Sequence, residues 1–153
     1  MTIRSQSERE TLALAARIAK RAAPGVVCLR GDLGSGKTTF VRGFLRALGH
    51  RADVPSPTFA IVNEYPGLSP RVYHMDFYRL ERESELDGID LTGYIDDEEA
   101  LTLIEWPEIA LSRLPKDRLE IDIAHEKNGS RRIVLRARGA AARAMTGAAR
   151  KRR

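Results

Sequence analysis

Apolar positions recur along this chain at two periods. Leu12, Ala15, Ala16, Ala19 and Ala22 return every three or four residues, the spacing of one helical face. Ser7-Glu8-Arg9-Glu10 stands before them, with the serine and the second glutamate placed to satisfy free amides at a helix start. Pro24-Gly25 ends that helix. Val26 to Leu29 is then a continuous apolar run with glycines on either side, which predicts a strand buried on both faces. A second helix is predicted from about Lys37, with Val41, Phe44, Leu45 and Leu48 on one side and a stop at Gly49.

The second half of the chain changes period. Pro55 and Pro57 forbid helix and stiffen the segment Val54-Pro55-Ser56-Pro57-Thr58. Phe59 to Tyr65 and Arg71 to Tyr78 read as strands, and the prolines and glycine of 66–70 join them as an antiparallel hairpin. Glu81 to Glu99 holds nine acids against Arg82 alone, and short helices broken near Gly88 and Gly93 are expected there. Ala100 to Trp106 is a further apolar strand, and Pro107 opens a helix predicted to end near Leu114-Pro115. Ile121 and Ile123 alternate with Glu120 and Asp122; Ile133, Leu135 and Ala137 alternate with Arg132, Val134 and Arg136. Asn128-Gly129 between them is a strong hairpin turn. Beyond Gly139 only Ala, Arg, Gly and a few others remain, and the chain is expected to fray. The order predicts one α/β domain, 1–139, built on a mixed sheet, and a basic tail, 140–153.

Composition sharpens this in two places. A length of 153 residues suits one domain with one core. The net charge of +5 is local: nine Lys/Arg and no acid lie from Arg131 onward, so the rest carries 17 basic and 21 acidic residues, a net of −4. A basic tail can touch RNA or another acidic surface, or stay solvated. No apolar run is long enough to span a membrane. The start lacks an apolar signal core, and the lone Cys28 suits a reducing compartment, so a cytoplasmic protein is expected.

Gly31-Asp32-Leu33-Gly34-Ser35-Gly36-Lys37-Thr38 matches G-x-x-x-x-G-K-[ST] in full. The glycines let successive N–H groups turn inward around phosphates, at the positive end of the following helix. Lys37 adds a point charge between the outer phosphates. The Thr38 hydroxyl is a hard oxygen ligand for Mg²⁺, and Thr39 is placed to support the inner phosphate. Such a match arises by chance in roughly one chain of this size in a hundred, and here it follows a buried strand and opens an amphipathic helix. ATP with Mg²⁺ is the expected ligand. An acid at the end of a neighbouring strand should help hold the cation. Asp76 and Glu105 both end apolar runs, and spacing alone does not separate their roles. Thr58 is a candidate phosphate sensor. His50, His74 and His125 lack metal-ligand spacing and read as structural, as does Cys28. Trp106 reads as a core or surface aromatic. No Asn-Lys-x-Asp guanine signature is present, and Glu8 or Thr11 on the first helix are candidates for the adenine contact.

Four segments together resemble one family: the phosphate loop through Phe40, Ser56-Pro57-Thr58-Phe59, Tyr73-His74-Met75-Asp76-Phe77-Tyr78-Arg79-Leu80, and Ile104-Glu105-Trp106-Pro107-Glu108. They are similar to the TsaE (YjeE) family, ATPases of bacterial tRNA threonylcarbamoyladenosine biosynthesis, from about Ser7 to Gly139. The resemblance implies a P-loop NTPase-like three-layer sandwich in which antiparallel hairpins join a parallel core. It implies an accessory ATPase, weak alone, that acts with a TsaD–TsaB complex and meets tRNA through that complex. Carried over by position, Lys37 contacts phosphates, Thr38 and Glu105 hold Mg²⁺, and Asp76 is needed for hydrolysis. Ser56, Pro57 and Thr58 match a switch-like loop, and Arg131 an arginine near the nucleotide. The rival reading is a P-loop kinase for a small molecule or nucleotide, though no lid insertion is visible.

Overall fold

Val27, Cys28 and Leu29 are fully buried because their strand, β2 (Gly25–Arg30), lies at the centre of a seven-stranded sheet. The computed structural model describes residues 1–147. With β1 (Thr2–Ser5), β3 (Val62–Tyr65), β4 (Arg71–Asp76), β5 (Ala100–Glu105), β6 (Arg118–His125) and β7 (Arg131–Arg138), the strand order is β1-β7-β6-β2-β5-β4-β3. The inner four, β6-β2-β5-β4, run parallel. β3, β7 and β1 add antiparallel to the edges. Parallel strands must be buried on both faces, which explains the continuous apolar runs of β2 and β5.

The first face carries α1 (Glu8–Ala19) and α2 (Lys37–Ala47). Ser7 caps α1 by accepting from the Glu10 amide, and Glu10 reaches back to the amide of Gln6. The two helices approach closely at Gly43, where a Cβ would sit 2.7 Å from the Leu12 carbonyl oxygen. Leu14, Ile18, Phe40 and Phe44 pack there on Val27, Leu29, Leu103 and Ile121. The second face buries Cys28, Met75, Phe77 and Ile104 under a thin layer. That layer consists of a 3-10 turn at Glu83–Ile89, α3 (Leu91–Ile95) and a 3-10 turn at Pro107–Ala110. Burial pushes the Cys28 thiol up to about 12, as expected of an inert core cysteine.

Several expectations are corrected. The chain past Gly139 does not fray at once: Ala140–Thr146 forms α4, and Ala142 and Met145 enter the first core. Asp117 accepts from the Ala141 and Ala142 amides, supplying that helix with the anchor its own sequence lacks. The remainder of the proposed tail, 148–153, lies outside the described residues. The first strand of the predicted hairpin is shorter than Phe59 to Tyr65, because Ile61 adopts φ 68° and only Val62–Tyr65 pairs. The partner strand stops at Asp76 rather than Tyr78. The acidic segment does form short helical pieces that break near Gly88, at Asp90 with φ 47°, but Gly93 lies inside α3 and breaks nothing. The helix after Pro107 is a single four-residue turn. β1 has no counterpart among the predicted elements.

Candidate functional site

The carboxyl ends of β2, β5 and β4 lie side by side, and the phosphate loop leaves β2 between them and β6. Crevices at this end of parallel strands are where such sheets bind ligands. Gly31, φ 143°, lets the loop fold against β6: a Cβ there would lie 2.1 Å from the Ile123 carbonyl oxygen. The Ser35 amide donates to the Asp32 carbonyl, closing a tight turn. Two side chains from the far hairpin clamp it. The His125 ring nitrogen Nε2 lies 2.9 Å from the Gly34 carbonyl oxygen, and Arg131 Nε donates to the Ser35 carbonyl at 3.0 Å. Arg131, named in the sequence from its position, is thus at the loop.

Lys37 is 4% exposed and curls over its own loop. Its Nζ donates to the carbonyls of Gly31 (2.5 Å) and Asp32 (3.0 Å) and lies 4.0 Å from the centre of the Trp106 ring. Burial lowers the pKa of this ammonium, and the nearby Glu105 and Asp76 carboxylates oppose that shift. Trp106 follows Glu105 directly and takes φ 54°, a left-handed conformation uncommon for a bulky residue. Its ring role beside Lys37 was not legible as more than packing.

The structure separates the two acids that spacing left equivalent. Asp76 and Glu105 are register partners on β4 and β5, so both point to the loop side. The Thr38 hydroxyl donates to Glu105, 3.0 Å from Oε1 and 3.1 Å from Oε2. Ser56 and Thr58 instead donate to Asp76 Oδ2, at 2.6 and 2.9 Å, and the Tyr78 amide donates to Oδ1. A cavity of about 260 Å³ opens among them, lined by Leu33, Gly34, Gly36, Lys37, Thr38, Thr39, Ser56, Thr58, Asp76, Glu105 and Trp106. Gly31, Asp32, Ser35 and Pro57 shape the surrounding loops without lining it. Thr11 is elsewhere: it is fully buried on α1, and its hydroxyl pairs with Ser5. Glu8 is exposed, ion-paired with Arg42. Neither reaches the cavity.

The donor set at its floor is a hydroxyl and carboxylates, hard oxygens that fit Mg²⁺ together with phosphate; Thr38 and Glu105 would hold the ion. The resemblance in the sequence implied Thr38 together with Glu105; the bonds from Ser56 and Thr58 to Asp76 were not part of it. A family model, Threonylcarbamoyl adenosine biosynthesis protein TsaE, matches residues 5–133. The chain belongs to the TsaE family. The match takes in the phosphate loop, Ser56 to Thr58, Asp76, Glu105 and Arg131, and leaves out α4. The tRNA threonylcarbamoyladenosine biosynthesis protein TsaE of Bacillus subtilis is 44% identical over 89% of this chain and 85% of its own length. The TsaE protein of Borreliella burgdorferi is 41% identical over 71% of this chain and 78% of its own. A crystal structure of Bacillus subtilis YdiB superposes with a TM-score of 0.84 at 33% identity, covering 97% of this chain and 93% of that one. The fold of that chain is therefore shared nearly end to end.

One site residue escaped the sequence reading, which took it as structural. His74 is buried and its Nε2 lies 2.8 Å from Glu105 Oε1. The signal was the two-residue offset His74-x-Asp76, which in a strand places both side chains on one face.

Proposed function

We propose that this protein binds ATP with Mg²⁺ and hydrolyses it in the cytoplasm, as an accessory ATPase of tRNA threonylcarbamoyladenosine formation. In this reading it acts with a TsaD–TsaB complex and meets tRNA through that complex. The observation that carries the reading is the convergence of Lys37, Thr38, Glu105 and Asp76 on one cavity at the mouth of a complete phosphate loop. The names of its relatives supply the pathway.

Each residue has a derivable task. The loop amides and the N-terminus of α2 offer positive partial charge to the phosphates. Lys37 is held in reserve on two carbonyls of its own loop, and a phosphate oxygen is a stronger partner for an ammonium than a neutral carbonyl. Thr38 and Glu105 are the side chains that would hold Mg²⁺, which would supply neutralisation of charge on the outer phosphates. Asp76 gathers two hydroxyls, Ser56 and Thr58, on one oxygen; that group orients the attacking water and accepts its proton. The Ser56–Thr58 segment is the part of the site whose bonds to Asp76 a terminal phosphate would compete for, which makes it switch-like.

The test is release of free phosphate from ATP by the protein alone and with TsaD–TsaB and tRNA. Slow Mg²⁺-dependent hydrolysis that the partners accelerate is expected. Lys37→Ala should weaken ATP binding about 100-fold by calorimetry, the equivalent of roughly 3 kcal/mol. Wild-type turnover in Lys37→Ala sinks the assignment of the loop, and phosphate appearing on an acceptor instead of in solution moves the protein to the kinases.

A further inference from the structure

Beneath the cavity floor sits a polar residue that the mechanism above does not use. His74 is 0% exposed, and its one hydrogen-bond partner among the described residues is Glu105. Nδ1 is buried with no partner there. A buried imidazole with half its capacity unused is a cost to folding that an apolar side chain would avoid. What it secures is the carboxylate one strand away.

The topology explains the reach. In the parallel β4–β5 pair, Asp76 lies beside Glu105 and His74 beside Leu103. His74 is therefore one pleat behind Glu105 on the same face, and its ring extends diagonally to Oε1. A carboxylate accepts, so Nε2 carries the hydrogen and donates. Oε1 thus has two donors, His74 and Thr38, whereas Oε2 has Thr38 alone. The Thr38 hydroxyl has one hydrogen, shared between the two carboxylate oxygens, and lone pairs left for a cation. The His74 bond is made to Oε1 alone.

We infer that His74 is the positioning residue for Glu105: it fixes the carboxylate from below, holding Oε1 and turning Oε2 toward the cation that accompanies the nucleotide. The inference rests on the reading that Thr38 and Glu105 hold that cation. Groups that hold a metal-binding side chain in place typically contribute 10–100-fold to metal affinity.

Mn²⁺ with a non-hydrolysable ATP analogue, followed by electron paramagnetic resonance, reads the site without turnover. Wild type should retain Mn²⁺ only when the analogue is present. His74→Ala should weaken that retention by about 10-fold or more, with metal-free analogue affinity unchanged. His74→Gln, whose amide can replace Nε2–H, should restore most of it. Wild-type retention in His74→Ala overturns the inference, as does a cooperatively folded His74→Gln no better than His74→Ala. Should neither variant fold, nitrogen NMR of the wild-type ring decides: an Nε2–H tautomer supports the assignment and Nδ1–H overturns it. A wild type that holds no Mn²⁺ with the analogue overturns the reading of the cavity itself, whereas equal retention by wild type and variants removes His74 alone.

Discussion

Two glutamates are buried in this sheet, Glu105 at 2% exposure and Glu120 at 1%, and they are provided for in opposite ways. Glu120 lies on the face of β6 away from α1 and α2. Oε1 meets Arg118 at 2.9 Å, Arg138 at 2.8 Å and Arg30 at 3.6 Å. Burial alone would raise its pKa, but these guanidiniums outweigh it and hold the carboxyl below the usual range. Glu105 receives a hydroxyl and an imidazole. The nearest ammonium, Lys37, donates to loop carbonyls instead. One carboxylate meets three cations of its own chain, all at Oε1, with Oε2 buried and without a hydrogen-bond partner among the described residues; the other is hydrogen-bonded but not paired with a fixed cation. A buried charge left in that state is a functional signal, and it faces the cavity where a divalent ion and a nucleotide would answer it.

Substitutions should separate the two. Glu105→Gln keeps the shape and most hydrogen bonds but removes the charge, so turnover should fall about 100-fold or more, several kcal/mol of lost Mg²⁺ binding and catalysis. Urea unfolding should show stability unchanged or improved. Glu120→Gln should do the reverse. It leaves Arg118 and Arg138 without their anion, and Arg30 with Asp122 alone, and should cost about 2–3 kcal/mol, no more than the low end for a buried pair because Arg138 stays half in water. The urea midpoint should drop at constant slope, with phosphate release per folded molecule unaltered. If Glu120→Gln lost turnover as Glu105→Gln does, the contrast would have no meaning.

The same contrast explains what could be read from the sequence. The phosphate loop was legible because its eight residues act as one local unit, and Asp76 and Glu105 because each ends an apolar run. Spacing alone did not divide their labour, which only the resemblance suggested, because it depends on which hydroxyl each meets: Thr38 is 67 positions from Glu105, and Ser56 is 20 from Asp76. His74 looked structural for the same reason, its partner being 31 residues on. The mixed sheet followed from periodicity. β1 did not, since Thr2 to Ser5 has too little pattern to announce a strand and is held by pairing with β7 and by the Met1 amine on the Leu135 carbonyl. α4 was hidden by composition: its alanines and Arg143 resemble a solvated tail, and only the three-residue offset of Ala142 and Met145 hinted at a packed face.

A smaller effect is expected at the acid that was assigned to the water. Ser56→Ala removes the shorter of the two hydroxyl contacts to Asp76 Oδ2 and leaves Thr58 in place. Turnover should fall about 10-fold, near 1.4 kcal/mol, with ATP affinity nearly constant. Steady-state kcat against calorimetric Kd separates this from Lys37→Ala, which acts on affinity. A loss of affinity in Ser56→Ala would assign the segment to nucleotide binding rather than to water.

The gentlest probe of the pairing is acid. The carboxyl of Glu120 titrates lower in the folded protein than in the unfolded chain. Between those two values the unfolded state binds more protons, so stability rises with pH across that interval. The contribution is complete above the ordinary glutamate range and is lost as pH falls through the folded value. Protonated glutamate and glutamine are both neutral and alike in shape. The stability gap between wild type and Glu120→Gln should therefore be widest near pH 7 and narrow steadily once the pH drops below about 4.5, the usual carboxyl value from which this group departs. Urea unfolding of the pair at several pH values measures the gap directly. A gap that stayed constant into acid would mean the three arginines stabilise Glu120 through packing and geometry rather than charge, and the distinction drawn between the two buried glutamates would rest on Glu105 alone.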